Sequence, residues 1–427
     1  MAHSSRYFLH AARSRLVRSL VPLWPAPKRP PVVVLDPGLV ARFGHHKEFA
    51  AMIRAELGRD HRVVIYTNLY TATGVLAELQ ARPVFYDDVY IPAHETRDFA
   101  ELYGAMSDAL VAGLGHLSPS DLGPDALAIM HTATVFQIGG LARWYASLPA
   151  AQRPKLFLQF QYPLAFGVRR AAQIPEAIAA AREAAAALVR ASSAVRFAAN
   201  SGPLSVQLSE QLRQPFSTIP VPIRWPRARQ VVIPDVPFGF FGGLRQEKGS
   251  TLLADALPAF LSRHADVRVL VHAPPGASDE AAVKRLAVLP QVELIRRDFG
   301  DKEAYYEQFR RARCILLPYD QENYAIRTSG VILESLGLGK AVITTDRTWL
   351  ASEVRRWGGS AFFMPAFTSD ALLEALEDAH RALSGPPEPD RINEPVMAEY
   401  SPAGFCRAII ETVERAPATT DFDVARV

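Results

Sequence analysis

The sequence predicts an α/β protein with two domains, each built on a parallel sheet flanked by helices. Apolar runs of strand length alternate with segments of helical periodicity, first over residues 31–222 and again over residues 237–395. The length of 427 residues also exceeds what one ordinary hydrophobic core accommodates. The segment 223–236 is rich in proline and arginine and has no period, so we place the interdomain linker there.

Short apolar runs bounded by turn residues predict the strands of both domains. In the first domain these runs are Val32–Asp36, Arg62–Thr67, Pro83–Tyr86, Ala126–Met130, Lys155–Phe160, Val195–Ala199 and Thr218–Val221. In the second they are Phe238–Phe241, Val267–Val271, Val292–Ile295, Ile315–Pro318, Ala341–Thr344 and Ala361–Met364. Helical patterns occupy the segments between them.

The composition is typical of a globular protein, with 49% hydrophobic and 21% charged residues. No apolar run approaches the length of a membrane span. Cys314 and Cys406 lie at or within apolar segments, so we expect buried thiols in a reducing, cytoplasmic compartment. No group of histidine, cysteine and carboxylate residues has metal-ligand spacing, and we therefore expect neither a metal nor another cofactor.

Residues 1–30 differ from the rest of the chain because they contain six basic residues and no acidic residue. Between Tyr7 and Trp24 the arginines alternate with apolar side chains, which predicts a basic amphipathic helix on an anionic membrane surface. A disordered basic tail and an organellar transit peptide are the alternatives. The remainder of the chain is slightly acidic, which argues against nucleic acid as a partner.

Polar residues follow several predicted strands of the first domain. In open α/β sheets, ligands bind beyond the carboxyl ends of the strands, so such residues are candidates for lining a crevice. A histidine in this position can act as a base, a hydrogen-bond donor or an electrostatic partner. The candidates are Gly38, Gly44, His45 and His46 after the first strand, His131 after the fourth and Gln161 after the fifth.

A second candidate site follows the first predicted strand of the second domain, where residues 242–249 are GGLRQEKG. Gly242 and Gly243 allow the backbone to approach a ligand closely. Arg245 and Lys248 supply positive charge that can neutralise a diphosphate. This pattern predicts an anion-binding loop.

The residues Arg327, Thr328, Ser329 and Gly330 precede an apolar helical pattern. We expect Ser329 to cap this helix, whose first amides point outward and attract anions. Glu334 lies four residues beyond Gly330, on the same helix face. Its carboxylate can accept hydrogen bonds from paired hydroxyls such as those of a ribose, so the stretch predicts a nucleotide site.

These motifs resemble the retaining glycosyltransferases of the group-one class, family four. That family has the GT-B fold, in which two Rossmann-like domains face each other across a crevice. GGLRQEKGSTLLADAL is similar to the opening of its donor domain, SGVILESLGLGKAVITT to half of its paired-Glu motif, and YSPAGFCRAIIETVE to its terminal helix. The resemblance implies that residues 396–417 form a helix that crosses back to the first domain, before a tail of residues 418–427.

The resemblance implies transfer of a sugar from a nucleoside diphosphate sugar to a glycan, a lipid-linked molecule or another acceptor. Configuration would be retained, and no metal would take part. Glu334 would hold the ribose, while the cations and amides of the two motifs in the second domain would bind the phosphates. The catalytic residues would be His131, Arg245 and Lys248, with the two loop histidines as alternatives to His131.

Two departures from the family pattern leave other functions open. Ile326 stands where the first Glu of the paired motif is expected, and Gly243 stands where an arginine is often found. Arg245 is a candidate to replace that arginine, and the candidates to replace the Glu are Glu322, Asn323 and Arg327. The alternative functions are a nucleotide-sugar epimerase of the same fold and a non-catalytic protein that binds nucleotide or glycan.

Overall fold

The computed structural model describes residues 29–415, apart from residues 42–43, 93, 228–231, 277 and 300. The amphipathic helix predicted within residues 1–30 and the tail 418–427 lie outside the described residues. In the part of the chain that is described, no helix is both long and apolar enough to cross a bilayer. The chain divides into two compact units, one formed by the residues up to Pro220 and from Phe405 onward, the other by Val221–Gly404.

The first unit contains a seven-stranded sheet. Its strands are β1 (Arg29–Asp36), β2 (His61–Asn68), β3 (Arg82–Phe85), β4 (Leu127–Ala133), β5 (Lys155–Phe160), β6 (Val195–Ala199) and β7 (Phe216–Thr218). They are parallel and lie in the order β3-β2-β1-β4-β5-β6-β7. The strand order reverses between β1 and β4, so the loops after these two strands diverge around the position where ligands bind in doubly wound sheets.

Helices flank this sheet on both faces. They are α1 (His45–Leu57), α2 (Thr73–Glu78), α3 (Phe99–Leu114), α4 (Val135–Ser147), α5 (Ile174–Ala191) and α6 (Gly202–Leu212). Helix α4 begins almost directly after β4, because the Thr134 side chain accepts a hydrogen bond from the Phe136 amide and caps the helix. Ser201 caps α6 in the same way.

The second unit contains a six-stranded sheet of the same kind. Its strands are β8 (Val236–Phe240), β9 (Val269–His272), β10 (Val292–Ile295), β11 (Ala312–Leu317), β12 (Ala341–Thr345) and β13 (Ala361–Met364). They are parallel and lie in the order β10-β9-β8-β11-β12-β13. Here the strand order reverses between β8 and β11, which places the loop after β8 at the ligand-binding edge.

The helices of the second unit cover both faces of its sheet, with one buried apolar cluster on each face. They are α7 (Ser250–Arg263), α8 (Glu280–Ala287), α9 (Lys302–Arg311), α10 (Gln321–Tyr324), α11 (Gly330–Gly337), α12 (Trp349–Trp357), α13 (Ser369–Ala382) and α14 (Glu394–Glu399).

The last described helix, α15 (Pro402–Glu414), packs on the sheet of the first unit. Its buried residues Phe405, Cys406, Ile409 and Val413 belong to the same apolar cluster as residues of β1, β2 and β4. Arg196 of β6 donates hydrogen bonds to two carbonyl groups at the end of this segment. The first unit is therefore built from two separate parts of the chain.

The boundaries of several predicted elements differ from those observed. The helix predicted at residues 396–417 is interrupted after α14, because Pro402 disfavours a helical conformation at the residue before it. Strand β7 ends at Thr218 rather than extending to Val221, since Pro220 has no amide to donate to a strand ladder. Part of the predicted linker is docked on the second unit, where the Ile223 amide donates to the Tyr400 carbonyl and the Trp225 indole to the Met397 carbonyl.

Candidate functional site

The loop between β8 and α7 encloses a lysine side chain. Gly242, Gly243 and Gly249 have φ angles of 103°, 75° and 81°, in the left-handed region that favours glycine. The folded loop lets Nζ of Lys248 donate a 2.8 Å hydrogen bond to the Gly242 carbonyl. Lys248 is only 8% exposed. Burial, followed by the nearby charge of Arg245, lowers the pKa of this lysine to about 7.

The N-terminus of α11 lies beside this loop. A Cβ atom added to Gly242 would lie 3.1 Å from Nζ of Lys248, 3.3 Å from Cγ2 of Val331 and 3.4 Å from the Tyr319 hydroxyl. Val331 is in the first turn of α11, where the amides have no partners within the helix. The structure thus brings together the glycine loop, the lysine and the helix N-terminus, an arrangement that favours an anion.

The prediction that the Ser329 side chain caps α11 is wrong. Ser329 occupies the N-cap position, but among the described residues its hydroxyl makes no capping hydrogen bond to the helix. A serine caps by accepting from an amide of the first turn. Without that contact, the first amides of α11 stay accessible to a different acceptor.

The remaining cations predicted for this site are less buried than Lys248. Arg245 is about half exposed and pairs with Glu247 at 3.3 Å. The guanidinium of Arg327 lies 5.0 Å from the centre of the Tyr324 ring. Arg245 and Arg327 both lower the pKa of Lys248, which places their charges near its ammonium group. Thr328 joins Arg327 to the start of α11.

Glu334 is enclosed by residues of α9. It is 3% exposed, and its carboxylate accepts hydrogen bonds from Lys302 at 2.6 Å, from the Tyr305 hydroxyl at 2.7 Å and from the Tyr306 hydroxyl at 3.3 Å. Burial, followed by the charge of Glu334, raises the pKa of Tyr305 well above its usual value, so this phenol stays a donor. Sequence reasoning missed these three partners, since Glu334 was expected to offer its carboxylate to a ribose.

The first unit contains a second polar cluster at the carboxyl ends of β1 and β4. Asp36 ends β1, and its carboxylate lies 2.6 Å from Nδ1 of His46 and 3.0 Å from Nε2 of His131. All three side chains are buried. A Cβ atom on Gly38 would lie 2.3 Å from the His46 ring, so only glycine leaves room for this imidazole. Gly44 lies before the start of α1, with a φ angle of 112° and open space around it.

The cluster extends from His46 toward the protein surface. Nε2 of His46 lies 3.1 Å from the Tyr90 hydroxyl, and this hydroxyl lies 3.0 Å from Nε2 of His45. His45 is exposed, whereas His46 is 7% exposed. The chain Asp36, His46, Tyr90 and His45 therefore connects a buried carboxylate with the surface of the first unit.

His131 does not have the open position that its predicted role requires. It is 1% exposed, its ring stacks on Phe49 with centroids 3.7 Å apart, and Nδ1 lies 2.9 Å from the Thr132 hydroxyl. Gln161 is part of the same network, because its amide donates to the Thr132 hydroxyl at 2.9 Å and to the His131 carbonyl at 3.1 Å. Both ring nitrogens of His131 are thus engaged inside the domain.

Asp36 is ionised in this network. Burial by itself raises the pKa of its carboxyl group, but the imidazoles of His131 and His46 outweigh burial and hold the pKa well below the usual range. Burial lowers the pKa of His131, and the nearby Asp36 charge only partly opposes this shift. These two pKa shifts are those expected for an ionised carboxylate that accepts hydrogen bonds from imidazole N–H groups.

Asp36, His46 and His131 each bring one ligand atom within 4.8 Å of the others, as in a metal site. Two ligand atoms on tetrahedral zinc lie about 3.3 Å apart, since each bond is about 2.0–2.1 Å long. The 2.6 Å separation of Asp36 and His46 is shorter than this and corresponds to a hydrogen bond. We therefore describe the cluster as a hydrogen-bonded network.

Sequence reasoning identified the histidines of this network but missed Asp36 and Tyr90. The available signal for Asp36 was its position, since an acidic residue at the end of a buried strand needs a partner. No such signal marks Tyr90, which belongs to the loop after β3 and reaches the histidines only through the fold.

One family model matches most of the second unit. Residues 236–381 match the model of the family described as glycosyl transferases group 1. This segment begins at β8 and includes the glycine loop, Lys248, Glu334 and most of α13. A search of curated protein sequences finds no match to the chain.

Solved structures share the architecture of the whole chain at low sequence identity. The N-terminal domain of trehalose-6-phosphate phosphatase from Candida albicans has 10% identity and a TM-score of 0.62, over 92% of this chain and 97% of that one. The lipopolysaccharide outer core galactosyltransferase WaaB has 11% identity and a TM-score of 0.58, over 90% and 98%. HepE from Anabaena, in complex with UDP-glucose, has 16% identity and a TM-score of 0.53, again over 90% and 98%. These similarities establish the GT-B fold.

Proposed function

The chain carries a group 1 glycosyltransferase domain within a GT-B fold, and from this premise we propose that it transfers a sugar from a nucleoside diphosphate sugar to a hydroxyl group of an acceptor. The second unit would bind the donor. The acceptor, a glycan or a lipid-linked molecule, would be bound by the first unit. We further propose retention of configuration, in line with the motif resemblance described above.

The observation that carries this proposal is the meeting of three groups at Gly242. The ammonium group of Lys248 and the side chain of Val331, in the first turn of α11, lie within 3.3 Å of the Cβ position of Gly242. A diphosphate bound beside this point would face the Lys248 ammonium group and the outward-pointing amides at the start of α11. Such preorganised groups stabilise a leaving diphosphate electrostatically, so the transfer would require no metal ion.

Glu334 would bind the ribose after a local rearrangement. Its carboxylate accepts from Lys302 and two tyrosines in this structure, and paired hydroxyls can replace the lysine at Oε1 without leaving the carboxylate unpaired. Lys302 is 28% exposed at its side chain, so its ammonium group has water to move into. Arg245 and Arg327, whose charges lie near Lys248, would add positive charge toward the phosphates.

The direct test is the thermal stability of the purified protein with UDP, GDP, ADP, CDP or dTDP. A ligand that binds only the folded state stabilises it by about 2.7 kcal/mol at one hundred times its dissociation constant. We expect one nucleotide to raise the melting temperature, Lys248→Ala to abolish this shift, and Lys284→Ala, at an exposed lysine of α8, to keep it. The absence of a shift with all five nucleotides would contradict the proposal.

A non-catalytic nucleotide-binding protein is the second candidate. It is favoured by Ile326, an apolar residue where the family pattern has an acidic one, and by the ion pair that occupies Glu334. Release of nucleoside diphosphate from the matching nucleotide sugar separates the two functions. Binding without release, with glycan and lipid-linked acceptors present, supports the second candidate. Isomerisation of the donor sugar without an acceptor would indicate an epimerase.

A further inference from the structure

We propose that Tyr306 is a positioning residue that couples ribose binding at Glu334 to the entry segment, residues 221–226, which carries the chain from the first unit into the second. The Tyr306 hydroxyl turns from Glu334 to the Arg224 carbonyl when a ribose occupies the carboxylate, and the entry segment is then held more firmly. The inference rests on the proposed function, because it assumes that Glu334 binds the ribose of the donor.

The entry segment lies along α11, the helix that carries the candidate phosphate site. A Cβ atom added to Gly330, at the start of α11, would lie 3.4 Å from Cδ1 of Ile223. One added to Gly337, at the end of this helix, would lie 2.5 Å from the Trp225 indole, so only glycine allows so close an approach. Two residues of the entry segment therefore contact the two ends of α11.

Hydrogen bonds to the region of α14 anchor the entry segment at the same two residues. The Ile223 amide donates to the Tyr400 carbonyl over 2.7 Å, and the Trp225 indole donates to the Met397 carbonyl over 2.8 Å. Tyr400 lies shortly before Gly404, where the chain leaves the second unit again. The two passages of the chain between the units are thus tied to each other inside the second unit.

The Tyr306 hydroxyl connects the middle of the entry segment with Glu334. This hydroxyl, on helix α9, lies 3.1 Å from the Arg224 carbonyl and 3.3 Å from Oε1 of Glu334. Both distances exceed the value of about 2.7–2.8 Å that is usual for O–H···O hydrogen bonds. A hydroxyl group has one hydrogen atom to donate. The geometry is that of one proton shared between two acceptors, so loss of one acceptor strengthens the bond to the other.

A ribose at Glu334 removes one of these two acceptors. Under the proposed function, paired hydroxyls replace Lys302 at Oε1, to which Lys302 donates over 2.6 Å in this structure. A carboxylate oxygen has about two lone-pair sites, so two ribose hydroxyls fill Oε1 and leave no site there for Tyr306. The Tyr306 proton then goes to the Arg224 carbonyl alone. Oε2 keeps its bond to the Tyr305 hydroxyl.

This exchange of partners links the donor site and the entry segment in both directions. Ribose binding strengthens the hold of α9 on the entry segment, and by thermodynamic reciprocity a firmly held segment favours ribose binding. The proton stays on the Tyr306 oxygen throughout, so only hydrogen bonds are made and broken. Tyr306 acts through Glu334 and Arg224 and not on the sugar.

The test measures amide hydrogen exchange of the full chain by mass spectrometry, in peptides that contain the Ile223 amide. Local opening of the entry segment exposes this amide to exchange, and a firmer hold on the neighbouring Arg224 carbonyl makes opening rarer. The probe is the nucleotide among UDP, GDP, ADP and CDP that raises the melting temperature, at a saturating concentration. One neutral hydrogen bond changes an equilibrium by roughly 2- to 10-fold, so we expect exchange to slow by about this factor.

The ligand control is the 2′,3′-dideoxy form of the same nucleotide, which lacks the paired hydroxyls. It should not slow exchange of the Ile223 amide beyond the general effect of stabilising the fold. This comparison uses the wild type alone, so it stays decisive if a variant folds poorly.

The variant that tests the coupling is Tyr306→Phe, which removes the hydroxyl and keeps the ring. We expect it to retain the nucleotide-induced thermal shift and to lose the slowing at Ile223. Tyr305→Phe is the matched control, because it removes a neighbouring hydroxyl that donates to Glu334 at 2.7 Å, and it should keep the slowing. A purely structural role of Tyr306 would change exchange equally with and without nucleotide.

The outcomes distinguish this inference from the proposed function. Equal slowing by the nucleotide and its dideoxy form, or slowing that persists in Tyr306→Phe, would overturn the role of Tyr306. Unchanged or faster exchange in the saturated wild type, or loss of the slowing in both variants, would do the same. So would a thermal shift with dTDP alone, which lacks the paired hydroxyls. All of these results leave the nucleotide-induced thermal shift in place, whereas a wild type without any such shift would contradict the proposed function itself.

Discussion

Nζ of Lys302 lies 2.6 Å from Oε1 of Glu334 and 4.5 Å from the centre of the Tyr305 ring. This contact joins the first turn of α9 to the middle of α11, the helix whose N-terminus lies at the candidate phosphate site. The ion pair thereby fixes α11 from the side and sets the orientation of the carboxylate. It is also the contact that a ribose would have to displace.

The first prediction concerns this pair. Lys302→Met removes the charge but retains the apolar stem, and Glu334→Gln removes the carboxylate. Residues in direct contact show coupling energies of about 0.5–3 kcal/mol, so urea unfolding of the two single variants and the double variant should give a coupling in this range. Additive effects of the two substitutions would mean that the pair does not stabilise the fold.

The second prediction concerns the pH dependence of nucleotide binding. The pKa of Lys248 is about 7, and a lysine is charged below its pKa and neutral above it. The affinity for a nucleoside diphosphate, measured by titration calorimetry, should therefore fall as the pH rises above this value. A bound anion raises the lysine pKa, so the fall should begin near pH 7, the pKa of the free protein, and end at the higher pKa of the complex.

The control for this experiment is Lys248→Arg, because arginine keeps its charge over the whole range. Changes in the ionisation of the ligand affect both proteins equally. The affinity of the variant should therefore depend less on pH than that of the wild type. Identical pH profiles of the two proteins would show that the charge of Lys248 does not govern binding.

The third prediction compares two glycines with similar backbone angles. Gly249 and Gly276 have φ angles of 81° and 75°, so alanine at either position costs about 1–2 kcal/mol in backbone strain. A Cβ atom on Gly249 would lie 2.4 Å from the Pro318 carbonyl oxygen, whereas one on Gly276 would meet no atom within 4 Å. Urea unfolding should show that Gly249→Ala is the more destabilising by about 1–3 kcal/mol. Equal losses would contradict this packing argument.

The fourth prediction concerns a buried cluster of charges in the second unit. The Asp390 carboxylate pairs with Lys340 and with Arg310, and all three side chains are at most 7% exposed. Removing one member leaves a buried charge without compensation, so Asp390→Ala should lower the free energy of unfolding by about 3–5 kcal/mol. Glu388→Ala, which removes an exposed partner of Arg391, should have little effect. Similar losses in the two variants would refute the distinction.

The sequence predicted the architecture well because the strands of a doubly wound sheet are continuous apolar runs. Lys155–Phe160, Val195–Ala199, Val292–Ile295 and Ala361–Met364 were predicted with the observed boundaries. Errors arose where a single residue decides the end of an element, as Pro220 does beyond β7 and Pro402 does before α15. The periodicity of apolar residues shows that an element is present, but it does not show the residue at which the element ends.

The candidate site was predictable only where its residues are neighbours in the sequence. The loop with Lys248 and the helix with Glu334 each form a short motif, and the fold places both in one unit. Partners from elsewhere in the chain could not be predicted, because Lys302 reaches Glu334 and Tyr90 reaches His46 only through tertiary packing. The burial of His131 could not be predicted either, because it also depends on tertiary packing: Phe49 of α1 covers its ring.

The packing of α15 on the first unit has a consequence for biosynthesis. Synthesis of the chain completes β1–β7 long before Phe405, Ile409 and Val413 leave the ribosome, so the apolar surface that these residues cover has no partner in the meantime. The second unit is an insertion between the two parts of the first and can fold while the first is incomplete. A premature stop at the boundary of α15 would therefore damage the amino-terminal domain, although every residue of its sheet would be present.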